Sequence, residues 1–212
     1  MFIFYMLLNL HVLDGKSPDD KELRRREISM IKRIHILGAS ASGTTTLAKA
    51  LSKEIGYCHF DTDDYFWTST DVPFTQKRKI EERQELLKKD LNSTSKWILS
   101  GSLCGWGDIF IPYFDLVVYL SLPKEIRIKR LIERDRQRYG MEIEQSGKMY
   151  QMHKEFVEWA SKYDEAGPDM RSKALHDLWL SKLPCPILKI EGDKTVEERT
   201  NIVKEHLKRL DM

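Results

Sequence analysis

Cysteine is scarce in this 212-residue chain: Cys58, Cys104 and Cys185 are odd in number and far apart. Such scatter excludes a disulfide framework and a thiol metal site, and it suits a reducing, cytoplasmic setting. A dominant charge is lacking too. Charged residues make up 32% of the chain yet leave a formal net charge of only +2, without the large basic excess of a dedicated nucleic-acid binder. No apolar run approaches the roughly 20 residues of a membrane helix. The run at residues 1–13, MFIFYMLLNLHVL, also lacks the basic start and small-residue cleavage site of a secretory signal. There is no internal repeat and no low-complexity linker. These absences leave a protein with no nucleic-acid or membrane partner as the expectation.

What is present begins at Met30. Residues 1–29 combine the apolar run with the charged stretch DGKSPDDKELRRRE, and are expected to form a weakly ordered extension; a membrane or partner anchor is the alternative. Met30 directly precedes the first strand pattern, and translation is expected to begin there. From there, strand and helix patterns alternate: IKRIHIL, TTLAKALSKEIG, YCHFD, TQKRKIEERQELLKKDLN, WILSGS, LVVYLSLP, KEIRIKRLIERDRQRYG, a helix–turn–helix over 141–183 broken at AGPD, CPILKIEGD and TVEERTNIVKEHLKRL. Five short apolar strands separated by helices, without tight hairpin signals, predict a parallel sheet covered on both faces. The expected fold class is therefore α/β: a single domain over 30–212, with a helical insertion at about 139–170.

The strand-to-helix junction carries GASASGTTTLA, Gly38 to Ala48, in the frame G-x-x-x-x-G-x-T. Such a loop points successive backbone N–H groups at anionic oxygens, and the following helix adds the positive end of its dipole. The cofactor-binding candidates are Gly38, Ala39, Ser40, Ala41, Ser42, Gly43, Thr44, Thr45 and Thr46. Thr45 takes the slot whose hydroxyl meets Mg²⁺ in a phosphate loop. Thr44 stands where lysine is usual, so a mobile positive charge near the β- and γ-phosphates is missing. The alternative is an ordinary turn of small residues.

Gly43-Thr44-Thr45-Thr46 resembles the G-T-T-T end of the loop in archaeal-type cytidylate kinases. That resemblance implies that threonine in the lysine slot is compatible with kinase activity. The order of elements over about 31–210 is similar to the wider adenylate, cytidylate and shikimate kinase superfamily, implying a three-layer P-loop NTPase fold that uses ATP and Mg²⁺. Asp61-Thr62-Asp63 looks like the D-x-D of shikimate kinases. By that likeness Asp61 has a metal-linked role and Asp63 orients or deprotonates the acceptor, while the adjacent Asp64 has no counterpart. A capped, solvent-facing loop is the competing reading of the acidic patch.

LSGSLCGWGD, Leu99 to Asp108, brings Gly101 and Trp106 just past the third strand. Adenylate kinases are similar in placing an acceptor-binding loop there, but Ser100 stands at their acidic position, which makes Asp61 more important. Trp106 either stacks on a planar acceptor or packs in the core. Arg127, Arg134 and Arg138 recur at spacings of seven and four on one helix face, with Arg130 beside them. Guanidinium groups grip phosphate oxygens with two prongs and never lose their charge. Arg134 and Arg138 are the candidates to replace the missing ammonium, and Arg171 is a further one. A solvated helix paired to Glu133 and Asp135 is the alternative. A GDK tripeptide, Gly192 to Lys194, follows the fifth strand, where adenine is often edged in this fold class.

The expected function is phosphoryl transfer from ATP to a small molecule, either a nucleoside monophosphate or a hydroxylated metabolite, by a monomer or homodimer. A nucleotide-binding regulator without transfer is the alternative.

Overall fold

The computed structural model describes residues 31–210. The expectations for 1–29 and for Met30 lie outside the described residues. β1 (Arg33–Gly38) leads through the glycine loop into α1 (Thr44–Ile55). Then come β2 (Cys58–Asp61), the short α2 (Thr62–Phe66), α3 (Ile80–Leu91) and β3 (Trp97–Ser100). β4 (Leu116–Ser121) feeds α4 (Lys124–Tyr139), and α5 (Tyr150–Ser161) and α6 (Lys173–Leu180) follow. β5 (Ile187–Glu191) and α7 (Val196–Leu210) close the fold.

The sheet has five strands in the order β2-β3-β1-β4-β5, and every pairing is parallel. Chain order reverses at β1, so the loop after β1 opens onto a crevice at the carboxyl ends of the strands, the usual ligand position in such sheets. Alternating residues of β1 build both cores. Ile34 and Ile36 pack with Leu47, Leu51 and Val203 of α1 and α7. Leu37 packs on the other face with Leu87, Leu99, Phe110 and Trp179. No helix among the described residues is long and apolar enough to cross a membrane.

Two element boundaries move from the sequence reading. The helix expected from Thr75 starts at Ile80, because the residues before it are committed elsewhere. Lys77 forms an antiparallel bridge with Trp67, and Arg78 Nη1 donates to the carbonyls of Tyr65 at 2.7 Å and Trp67 at 3.0 Å. The strand expected over Trp97–Ser102 stops at Ser100, because Gly101 turns at φ +104°. A Cβ at Gly101 would lie 1.8 Å from Thr62 Oγ1, so only glycine lets the start of α2 close against the end of β3.

Elsewhere the caps follow the sequence. Gly56 ends α1 in the left-handed conformation. Thr195 Oγ1 accepts from the Glu198 N–H at 3.2 Å while the Glu198 carboxylate accepts from the Thr195 N–H at 2.7 Å, a reciprocal cap on α7. The insertion comprises a short 3-10 turn (Gly140–Ile143), α5, and the loop leading to α6.

Candidate functional site

One cleft of about 940 Å³ holds most of the predicted residues. Its floor is the glycine loop: Gly38, Ala39, Ser40, Ala41, Gly43, Thr44, Thr45 and Thr46 all line it. Ser42 does not; it is fully buried beneath the loop, with its carbonyl accepting from Arg199 Nη1 at 2.7 Å. Ala41 and Gly43 take positive φ, +60° and +93°, a local reversal that turns neighbouring N–H groups toward the same side. No side chain caps the start of α1, so its first N–H groups remain open toward the cleft. A polyphosphate fits this floor by charge and by unmet hydrogen-bond demand.

The metal candidates meet directly below. Thr45 Oγ1 donates to Asp61 Oδ2 at 2.6 Å, and Ser100 Oγ donates to the same oxygen at 2.8 Å. Asp61 Oδ1 accepts from the Asp63 N–H at 3.0 Å, capping α2. Thus the carboxylate absent from Ser100 at the end of β3 is supplied one strand over, from the end of β2, and Ser100 steadies it. Among the described residues no group of three or more His, Cys, Asp or Glu could hold a metal. A divalent cation at Thr45 and Asp61 would therefore depend on phosphate oxygens and water, as Mg²⁺ characteristically does.

Asp63 lines the cleft, whereas Asp61, expected to bind substrate as well as metal, and Asp64 do not. The protein around its carboxyl, followed by the Asp61 carboxylate, pushes the Asp63 pKa up against the pull of Arg171 and Arg134. Asp64 points away from the lining, and its carbonyl accepts from Arg78. The substrate-binding expectation for Asp64 is corrected accordingly: the first turn of α2 carries Asp63 toward the cleft and rotates its neighbour outward.

Trp106 also departs from expectation. It is 5% exposed, packs with Phe110 in the core, and donates from Nε1 to the Ser102 carbonyl at 3.3 Å. Gly101 and Ser102 of the same loop do line the cleft. The planar surfaces there are instead Phe66, Trp67, Phe74, Tyr139, Phe156 and Trp159, from the segment after β2 and from the insertion. The sequence carried a signal for them, a run of three aromatics directly after the acidic patch and a pair on the amphipathic α5, but no spacing rule marks which of these line a cleft.

Arg130, Arg134, Arg138 and Arg171 all face the cleft. Arg134 donates through Nε and Nη2 to Asp135 Oδ1 at 3.1 and 2.9 Å, and Asp135 Oδ2 lies 2.9 Å from His153 Nδ1. Arg138 sits 5.0 Å from the Phe74 ring centre, and Arg171 5.7 Å from Trp159. Arg130 pairs with Asp193. Arg127, on the same predicted stripe, is buried, donates to the Leu122 carbonyl and pairs with Asp164, so it holds the insertion rather than facing ligand. Two cations were missed, Lys77 and Arg199, which also line the cleft, as does Lys194 of the GDK tripeptide. Arg199 lies far away in the chain, and only the sheet order brings α7 against the loop.

The comparisons with known proteins agree with this architecture. A match to the AAA domain family spans residues 34–151, more than half of the chain. The chain belongs to the AAA domain family. This AAA domain chain is 53% identical, over 178 residues, to the uncharacterized protein YqaC of Bacillus subtilis strain 168, covering 84% of itself and 98% of YqaC. A uridine kinase of Chloroflexus aurantiacus is 28% identical over 100 residues, 45% of this chain and 46% of that protein.

Among solved structures, shikimate kinase from Bacteroides thetaiotaomicron superposes with a TM-score of 0.52 at 17% identity, covering 84% of this chain and 99% of that one. Deoxyadenosine kinase from M. mycoides gives a TM-score of 0.52 at 15% identity, with 84% and 99% coverage. The fold of this AAA domain chain is thus the one that these two kinase structures share.

Proposed function

We propose that this protein is an ATP- and Mg²⁺-dependent phosphotransferase acting on a small molecule. The observation that carries the reading is the convergence of the Asp63 carboxyl and an uncapped glycine loop on one arginine-lined cleft. Bound at the loop, ATP·Mg²⁺ supplies the phosphoryl donor and charge neutralisation between its phosphates. Thr45 and Asp61 are the residues to hold the cation. Backbone N–H groups of Ala41 to Thr46 bind the phosphates, and Arg134 and Arg138 provide the positive charge that Thr44 does not.

Catalysis of this kind is largely positioning and electrostatic stabilisation, so the sign and placement of charge matter more than which residue delivers it. Asp63 orients the acceptor and, for a hydroxyl acceptor, takes its proton. Residues 139–170 close over the cleft and exclude water, protecting the phosphoryl group from hydrolysis.

The six cleft aromatics favour an acceptor with a planar ring, hence a nucleoside monophosphate over a hydroxylated metabolite without one. The test is acceptor-dependent ADP release across a panel of nucleoside monophosphates and sugar acids. Turnover with at least one acceptor is expected. Tight Mg·ATP binding with zero turnover throughout would favour a non-catalytic ATP-binding regulator, the reading that Thr44 in the lysine slot supports.

A further inference from the structure

Behind the cleft runs a line of buried polar side chains that the phosphate chemistry does not use. Ser102 lines the cleft and is 5% exposed. Its Oγ lies 3.2 Å from His176 Nε2. His176, on α6, is fully buried, and its Nδ1 lies 2.7 Å from the Tyr163 hydroxyl. Tyr163 Oη in turn lies 2.9 Å from the Tyr119 hydroxyl on β4. Four groups, each with one proton to give, share three hydrogen bonds.

Counting protons fixes the direction of the line. Tyr119 is buried, and the Tyr163 hydroxyl is its hydroxyl's hydrogen-bond partner. Were Tyr119 to accept, its own proton would be stranded in the interior, and a buried unsatisfied donor costs more than an under-used oxygen lone pair. Tyr119 therefore donates to Tyr163, and Tyr163 donates to His176 Nδ1. Neutral imidazole then carries its proton on Nε2 and donates it to Ser102 Oγ. The Ser102 proton is left over, at the end of the line that meets the cleft. Burial supports each assumption: it pushes the His176 pKa down to about 3, so the ring is neutral, and it raises both phenols, so both keep their protons. Inside the protein, the competing acceptor for the Ser102 proton is the neighbouring Cys104 thiol, a weak one.

Resting on the kinase reading above, we propose that Ser102 is a pre-aligned hydrogen-bond donor to an oxygen of the phosphoryl acceptor, held in direction by His176, Tyr163 and Tyr119. His176 is a positioning residue, which acts through Ser102. The arrangement also links acceptor binding to the insertion, because Tyr163 follows α5 and His176 sits on α6, whose N-cap directly follows the cleft arginine Arg171.

The experiment has two parts on the full chain. Long-range ¹⁵N–¹H correlation on ¹⁵N-histidine-labelled protein, with His176 assigned from H176Q, reads the tautomer. The Nε2–H form is expected; an Nδ1–H ring overturns the proposal whether or not any acceptor is phosphorylated. Titration with AMP and CMP then compares wild type, S102A and S102T. Loss of one neutral hydrogen bond predicts monophosphate binding weaker by about three- to ten-fold in S102A, restored in S102T, with Mg·ATP affinity unchanged in both. Unchanged monophosphate affinity in S102A, an equal loss for Mg·ATP, or a wild type that binds neither monophosphate would overturn it. Failure of the kinase reading shows separately, as absent ADP release across the whole acceptor panel.

Discussion

Asp63 and Arg134 line one cleft with opposite charge, and on the proposed kinase reading their substitutions separate two tasks. Asp63→Asn keeps shape but removes the proton acceptor, so kcat for a hydroxyl acceptor is expected to fall by roughly 10²- to 10⁴-fold while Mg·ATP affinity, read by calorimetry, is unchanged. Arg134→Ala removes a charge that matters most as the phosphoryl group moves, and a loss of about 10²- to 10³-fold in kcat is expected in steady-state assays. Trp106→Ala tests the correction made above: a core cavity costs about 3–5 kcal/mol of stability by denaturant unfolding, whereas a stacking residue would chiefly raise the acceptor KM. At this scale the course of the glycine loop along the cleft was legible, because its spacing encodes backbone geometry, whereas the Thr45–Asp61 hydrogen bond joins two elements and no spacing reports it. Trp106 and the true lining aromatics were not. An aromatic side chain reads alike in sequence whether it faces the core or a cleft, and tertiary packing decides which.

The junction of β3 with α2 sets the site's geometry at the level of elements. Gly101→Ala would place a methyl group against Thr62 at a φ of +104°. It is expected to destabilise the fold by about 1–3 kcal/mol through strain and to displace the Asp61–Asp63 segment, seen as weaker Mg·ATP binding in calorimetry. Strand and long-helix identity was legible, since periodicities of two and 3.6 report which face is buried, while the one-turn α2, expected as a loop, is too short to show a period. The start of α3 was not, because residues 75–79 have helical composition but are held extended by the Trp67–Lys77 bridge and by Arg78. A tertiary hydrogen bond overrides local propensity there. Arg127 shows the same limit: helical spacing placed it on the arginine stripe, while its pairing with Asp164 across the insertion is a contact between elements distant in the chain.

Across the whole molecule, acid stability follows from histidines packed under the sheet. His35 is fully buried between Phe114 and Trp179, and burial lowers its pKa to about 4, as it lowers that of His176 to about 3. The unfolded chain protonates both near pH 6.5 while the folded chain resists, so unfolding is favoured as pH falls from about 6.5 toward 4. Each ring contributes a loss of about 1.4 kcal/mol per pH unit in that window. Urea unfolding at pH 7, 6 and 5 reads the slope, and His35→Gln should flatten it.

The five-strand order, which no local pattern reveals, also brings Arg199 of α7 under the loop of β1, giving the phosphate floor a guanidinium beside Gly43. Calorimetric titration of Mg·ATP into the pure full chain tests this account most directly. Binding in the range of about 1 μM to 1 mM, weakened in Arg134→Ala and Arg138→Ala, is the predicted result. A chain that takes up no Mg·ATP at millimolar concentration would contradict it.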